Sequence, residues 1–148
     1  MKHEWILTAN ASRARLYGRD APDEALKEMQ TLEHAESRLR TSDLSSDHAG
    51  HENADQHHGG GVSFAPRTDP RRKEHQRFAQ EIALRLSEGV RTGRCTALTI
   101  CASSPFLGEL RAALDEPTRQ VLRASVDVDL SACGAAELER RLASLAAG

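Results

Sequence analysis

Apolar residues recur along this chain first with the period of strands and later with the period of helices. Three short apolar stretches open the sequence, and we predict strands over residues 4–9, 12–18 and 26–32. Short segments typical of turns separate them, Asn10-Ala11 and Ala21-Pro22-Asp23. The pattern therefore predicts an antiparallel meander of three strands.

The second half of the chain alternates between helical and strand periodicity. Asp69 and Pro70 are typical of a helix start, and the apolar stripe that follows is expected to end at Gly89 and Gly93. The later elements are a strand over 96–102, a helix with Ser104 as its N-cap, a strand within 121–130 and a last amphipathic helix carrying Leu138, Leu142 and Leu145.

The order of elements is β-β-β-α-β-α-β-α, which predicts one α/β domain over residues 1–148 with a mixed sheet. This element order is that of the ribonuclease H-like fold. Between the meander and the first helix, residues 34–68 contain few apolar residues, five of the seven histidines and three consecutive glycines. Such a segment cannot bury enough surface to offset the entropy of ordering it, so we predict a long flexible loop. Its charged start, with Glu33, His34, Glu36 and Arg38, indicates surface ion pairs that tether the base of the loop.

The net charge argues against binding of nucleic acid through the electrostatic field of the whole protein. The net charge is -2 and the pI is about 6.4, so any contact with RNA must depend on a local patch. The three cysteines, Cys95, Cys101 and Cys133, form no CxxC pair, and no signal peptide or membrane-length apolar run is present. We therefore expect a cytoplasmic protein that does not enter the membrane.

One candidate patch for an anion lies at the start of the first predicted helix. Arg71, Arg72 and Lys73 fall in its first turn, where the helix dipole is already positive, and Arg67 precedes it. Each exposed cation costs about 0.3–1 kcal/mol there, which a docked phosphate would explain. A solvated face with partial pairing to Glu74 and Glu81 is an equally good interpretation. On the predicted second strand Arg13 and Arg15 alternate with Ala14 and Leu16. We predict that these two arginines extend the patch.

Other chemistries have weaker signals. His48, His51, His57 and His58 have the ligand types for zinc or nickel, but no cysteine accompanies them, and we predict neither a metal nor another cofactor. A metal nuclease needs several acids at the strand ends, where the first strand closes on Asn10 and only Asp127 and Asp129 remain. Ser103, Ser104 and Cys101 sit at a strand-to-helix junction, where an ordinary N-cap is the simpler interpretation.

Four ordered motifs resemble the bacterial host-attachment protein family. They are WILTANASRARLY at residues 5–17, EHAESRLRTSDLSSDHAG at 33–50, TDPRRKEHQRFAQEIA at 68–83 and SPFLGELR at 104–111. That family is grouped with bacterial proteins similar to the middle domain of archaeal and eukaryotic class I peptide-chain release factors. The resemblance spans nearly the whole chain, and it implies a ribosome-associated role on a release-factor middle-domain-like fold.

The resemblance also gives the glycine triplet a meaning. Release factors of that type carry a Gly-Gly-Gln tip on a mobile loop, and Gly59, Gly60 and Gly61 lie in the comparable loop of this chain. Val62 and Ser63 follow, so the glutamine is absent. We therefore predict a binding protein associated with the ribosome or tRNA. Two alternatives remain open: a peptidyl-tRNA hydrolase acting through the glycine loop, and an interaction protein required indirectly for attachment to host cells.

Overall fold

The fold is a five-stranded mixed sheet with helices on both faces. The computed structural model describes residues 3–34 and 70–147, so the predictions for Gly59–Gly61, Arg67, Asp69 and the histidines of the 35–69 segment lie outside the described residues. The strands are β1 Glu4–Ala9, β2 Arg13–Arg19, β3 Lys27–Glu33, β4 Ala97–Ala102 and β5 Leu122–Val126, in the spatial order β3-β2-β1-β4-β5. β2 pairs antiparallel with β1 and with β3, whereas β1–β4 and β4–β5 are parallel. The predicted meander and mixed sheet are confirmed.

The helices are α1 Pro70–Arg91, α2 Phe106–Ala113, α3 Glu116–Val121 and α4 Ala135–Ala147. The sequence pattern did not predict α3, because a helix of six residues is too short to display a period. It forms behind a local signal: the Asp115 carboxylate accepts a hydrogen bond from the Thr118 backbone N–H, and Pro117 follows in the first turn.

Two residues predicted at helix ends, Ser104 and Gly89, have other roles, whereas Gly93 follows the end of α1 as predicted. Ser104 does not cap α2; Pro105 occupies the N-cap position, because the Ser104 hydroxyl and N–H donate to Asp127 instead. Gly89 does not end α1 but lies inside it, buried beneath Trp5, and Gly93 follows the helix with φ of +79°. A left-handed backbone of that kind favours glycine.

Alternation along the strands divides the buried side chains between the two faces of the sheet. The larger core joins the sheet to α1 and α2 and includes Leu7, Leu16, Leu98, Phe78 and Ile82. The smaller core, under α4, includes Ile6, Tyr17, Cys101, Leu130 and Leu138. Each fully buried aliphatic or aromatic side chain contributes about 1.5–3 kcal/mol to folding stability, so packing on both faces stabilises the sheet. The predicted apolar stripe of α4 fades along the helix, since Leu145 is 49% exposed.

Parallel pairing gives the sheet two distinct ends. The carboxyl end, named for the last residues of its parallel strands, contains Ala9, Ala102 and Val126. The amino end contains Glu4, Ala97 and Leu122, where these strands begin. Within the described part of the chain no helix is long and apolar enough to cross a bilayer.

Candidate nucleic-acid interface at the carboxyl end of the sheet

The start of α1 is fastened to the end of β3 at the carboxyl end. The His34 backbone N–H donates to the Ser12 carbonyl at 3.0 Å, and His34 Nε2 lies 2.9 Å from Glu74 Oε1. Arg77 Nη1 lies 3.3 Å from the other oxygen of Glu74. The chain therefore leaves β3 and enters α1 at neighbouring points.

This contact corrects the prediction of a surface ion pair at His34. His34 and Glu74 are only 7% and 5% exposed, so their contact is buried. The His34 ring also stacks on Phe78, with centroids 5.1 Å apart and planes inclined by 20°. The amphipathic imidazole extends the aromatic part of the core. The burial of His34 could not be predicted from the sequence, because its neighbours along the chain are charged. The Glu36 and Arg38 part of the prediction lies outside the described residues.

The first turn of α1 forms a basic turn, defined as Arg71, Arg72 and Lys73. All three side chains are exposed, and the turn contains no acidic residue. Arg72 Nε lies 3.3 Å from Glu109 Oε2 on α2, but the arginine side chain remains 64% exposed. A pair this exposed is worth little, about 0–1 kcal/mol, so it orients Arg72 without removing the positive potential. The helix dipole adds to that potential.

Arg13 and Arg15 are not brought together with the basic turn. Their strand neighbours Ala14 and Leu16 pack in the core beneath α1, so the arginines lie on the face covered by α4. Arg15 Nη1 donates to the Cys133 carbonyl at 3.4 Å, and its buried Nε has no partner among the described residues. Strand alternation therefore places these arginines on the face of the sheet opposite α1. Phosphate binding by Arg13 and Arg15 stays a prediction, now for a separate surface.

A second polar cluster at the carboxyl end was only partly visible in the sequence. Asn10 Nδ2 donates to Asp129 Oδ2 at 3.2 Å and to Ser131 Oγ at 2.9 Å, while its Oδ1 accepts the N–H groups of Ser12 and Arg13 at 2.8 and 2.9 Å. One asparagine thus joins the β1–β2 turn to the loop after β5. The signal that would have found it is an asparagine directly after a buried strand, since its amide can satisfy a tight turn.

The two acids of the nuclease interpretation are each bonded to neighbouring donors. The backbone N–H and hydroxyl of Ser104 lower the pKa of Asp127. Partial burial alone would raise the pKa of Asp129, but hydrogen bonds from Ser131 and Asn10, with the charge of Arg13, lower it overall. Both carboxylates therefore stay ionised at neutral pH. No group of three or more histidine, cysteine or acidic side chains with metal-site geometry occurs within residues 3–34 and 70–147.

Charges of both signs lie at the carboxyl end. The basic turn lies at the start of α1, whereas Asp127 is bonded to Ser104 before α2, and Asp129 is bonded to Ser131 and Asn10 and lies near the charge of Arg13. A polyanion would be attracted by the basic turn, because opposite charges raise its local concentration. Cys101, near the same strand ends, is buried, and this burial raises its pKa to about 11, so its thiol is uncharged at neutral pH.

The fold and this surface define a small three-layer α/β protein with an exposed basic helix start. The chain belongs to the family described as "Protein required for attachment to host cells", whose model matches residues 5–142. No curated protein matches it in sequence. A solved structure described as "Archaeal protein" is 12% identical, with a TM-score of 0.44, over 87% of this chain and 31% of that one. This chain thus spans about a third of that protein's length, and so distant a likeness carries no argument.

Proposed function

We propose that this protein binds RNA of the ribosome or tRNA through the basic turn of α1. The observation that carries the proposal is the presence of three exposed cations, without an acid among them, on the first turn of a 22-residue helix. Such cations oppose the helix dipole and each costs about 0.3–1 kcal/mol of folding stability when exposed. A bound phosphate reverses the sign of that contribution to stability, because its charge is attracted both by the cations and by the positive end of the helix dipole.

The topology supports the more specific proposal of a ribonuclease H-like, release-factor middle-domain-like architecture. An antiparallel meander is followed by parallel β4 and β5, with helices on both faces. The role of Gly59–Gly61 as a loop tip rests on the sequence alone, and the missing glutamine leaves ester hydrolysis without its usual amide. Recognition of RNA by phosphate contact needs neither, which is why we propose binding as the function.

Co-sedimentation with ribosomes across a salt series tests the proposal. Three phosphate contacts give a slope of log K against log salt of roughly -2 to -2.7, so affinity should fall about 20- to 40-fold between 50 and 200 mM salt. The triple variant Arg71→Gln, Arg72→Gln, Lys73→Gln should lose most of this slope together with the binding.

A matched control is available at the other end of the same helix. Arg85, Arg91 and Arg94 are also exposed, so their triple glutamine variant removes the same charge from the region where α1 ends. Binding and slope should be retained there. If the wild-type protein does not sediment with ribosomes at low salt, or if both triple variants lose binding equally, the proposal fails.

The family match supports a second candidate, an interaction protein required indirectly for attachment to host cells. The two functions are separable by complementation of a deletion strain. Should the triple glutamine variant of the basic turn restore attachment fully while its ribosome binding is lost, attachment depends on another surface. Loss of both together would make RNA binding the route to attachment.

A further inference from the structure

A groove lined by arginines opens at the amino end of the sheet, far from the basic turn. It has a volume of about 500 Å³ and lies between α2, α3 and the start of β5. We call it the arginine groove; its lining residues are Gly108, Arg111, Ala112, Leu114, Arg119 and Leu122. The lining contains two arginines and no acid, and Arg123 is exposed beside it at the start of β5.

These arginines have little to neutralise them within the described residues. The side chains of Arg111 and Arg123 make no hydrogen bond or ion pair there, and Arg119 donates only to the Arg111 carbonyl, at 3.3 Å. In a chain of net charge -2, two cations in the lining of an apolar groove and a third exposed at the next position after Leu122 mark a surface suited to an acidic partner.

An acidic turn lies at the same end of the sheet, between β2 and β3. Its charged residues are Asp20, Asp23 and Glu24, all exposed. The turn is held in shape, because the Asp20 N–H donates to Glu24 Oε1 at 3.0 Å and the Asp20 carboxylate meets His3 Nδ1 at 2.7 Å. Asp23 points its charge to solvent from a structured turn, so little ordering is needed before it meets a cation.

Strand registry fixes how far apart the two charged surfaces are. Arg19 pairs with Glu4, Glu4 with Ala97, and Leu98 with Leu122, so the acidic turn and the arginine groove lie at one end. The turn is centred between β3 and β2, and the groove adjoins β5 at the opposite edge. At about 4.8 Å between strands, three and a half spacings separate them by roughly 17 Å.

From this arrangement we propose that the protein forms a twofold dimer in which the acidic turn of each copy docks on the arginine groove of the other. A half-turn about an axis normal to the sheet brings the amino ends face to face and sets the β2–β3 side of each copy opposite the β5 side of the other, where the groove lies. The contact is self-complementary and closed, as in most homodimers. The dimer is independent of RNA binding by the basic turn.

Two observations favour a second copy over other occupants. The dimer neutralises both charged surfaces at once, whereas RNA in the groove would leave the acidic turn without a counter-charge. Extension of the sheet by an added strand is disfavoured, because β3 and β5, the two edge strands, both contain register irregularities. Irregularities of this kind protect edges from pairing.

Sedimentation equilibrium on the full chain tests the dimer. At low salt the wild-type protein should have twice the 16.2 kDa mass of the chain, and it should dissociate as salt screens the contact. Arg111→Glu with Arg123→Glu should weaken dimerisation at least tenfold, and so should Asp23→Arg with Glu24→Arg. Mixing these two variants should restore a dimer of one copy of each, at the contact where the reversed charges again attract.

The control variant Arg71→Glu with Lys73→Glu reverses two charges at the other end and should dimerise like the wild type. Circular dichroism of each variant separates loss of the dimer from loss of the fold. The dimer proposal is refuted if the wild-type protein stays monomeric at low salt. It is also refuted if both double variants dimerise with the same affinity as the wild type. A monomer whose ribosome binding depends on Arg111 and Arg123 would also overturn it, since the groove would then bind RNA.

Discussion

The contact between Gly89 and Trp5 makes a sharp prediction about packing. A Cβ added at Gly89 would lie 2.1 Å from Trp5 Cη2 and 2.4 Å from Cζ3, whereas carbon atoms in contact are about 3.5 Å apart. The indole must therefore retreat by about 1.4 Å from a site where it is only 8% exposed. Overpacking of this kind costs about 1–3 kcal/mol, and a displacement this large puts the cost near the upper value.

Gly89→Ala also removes a glycine from a helix interior, which alone would stabilise the protein by about 1 kcal/mol. The net expectation is a loss of about 1–2 kcal/mol in the free energy of unfolding, or a fall in Tm of about 3–6 °C for a chain of this length. Thermal and urea unfolding measure it. Trp5→Phe should cost less in the Gly89→Ala background than in the wild type, because the smaller ring relieves the clash.

Gly108→Ala is the matched control, since Gly108 is also inside a helix but a Cβ there meets nothing within 4 Å. It should stabilise the protein by about 0.5–1 kcal/mol through helix propensity alone. The Trp5 contact therefore predicts changes of opposite sign in the free energy of unfolding for the two substitutions. If Gly89→Ala stabilises as much as Gly108→Ala, the indole does not pack on α1 as described.

Two further predictions concern buried and capping carboxylates. Glu74→Ala removes the acceptor for the buried His34 ring and should lower the free energy of unfolding in urea by about 2 kcal/mol. Glu74→Gln keeps an acceptor oxygen and should lower it by less. Equal losses for the two variants would contradict a role for that hydrogen bond. Hydrogen bonds from Ser87 and Thr118 lower the pKa of Asp115, so its stabilisation is present above the unfolded pKa of about 3.9 and lost as pH falls through the lower folded pKa. Asp115→Asn, which can still cap α3, should lose less stability than the wild type between pH 7 and pH 3, and an unchanged acid dependence would exclude this contribution.

Most strands were predictable because they present a run or alternation of apolar residues, whereas β3, with only Met29 and Leu32, has a weaker pattern. In β2, alternation assigned Ala14 and Leu16 to one face and Tyr17 to the other, and the two cores confirm it. Gly89 was misplaced for the opposite reason: a glycine near the end of an apolar stripe is typical of a helix terminus, and only the tertiary position of Trp5 reveals its packing role. Short-range signals cannot report a partner 84 positions away.

The candidate surfaces show the same limit more strongly. The basic turn was visible because its three cations are consecutive and its helix start has its own sequence signal. The arginine groove was not, because Arg111, Arg119 and Arg123 come from α2, α3 and β5 and are joined only by the fold. For Arg13 and Arg15, alternation specified that they share one face of β2, but it did not say which helix covers that face.

Net charge is a poor guide to what this protein binds, because its charges are separated by the sheet. The value of -2 combines a basic turn at one end with an acidic turn and an arginine groove at the other. A cluster of one sign needs an external counter-charge, so the basic turn should respond to salt only when RNA is present. Opposite clusters at one end can neutralise each other between copies, so dimerisation should respond to salt in the protein alone. The salt dependence of mass without RNA therefore separates the two surfaces without any mutation.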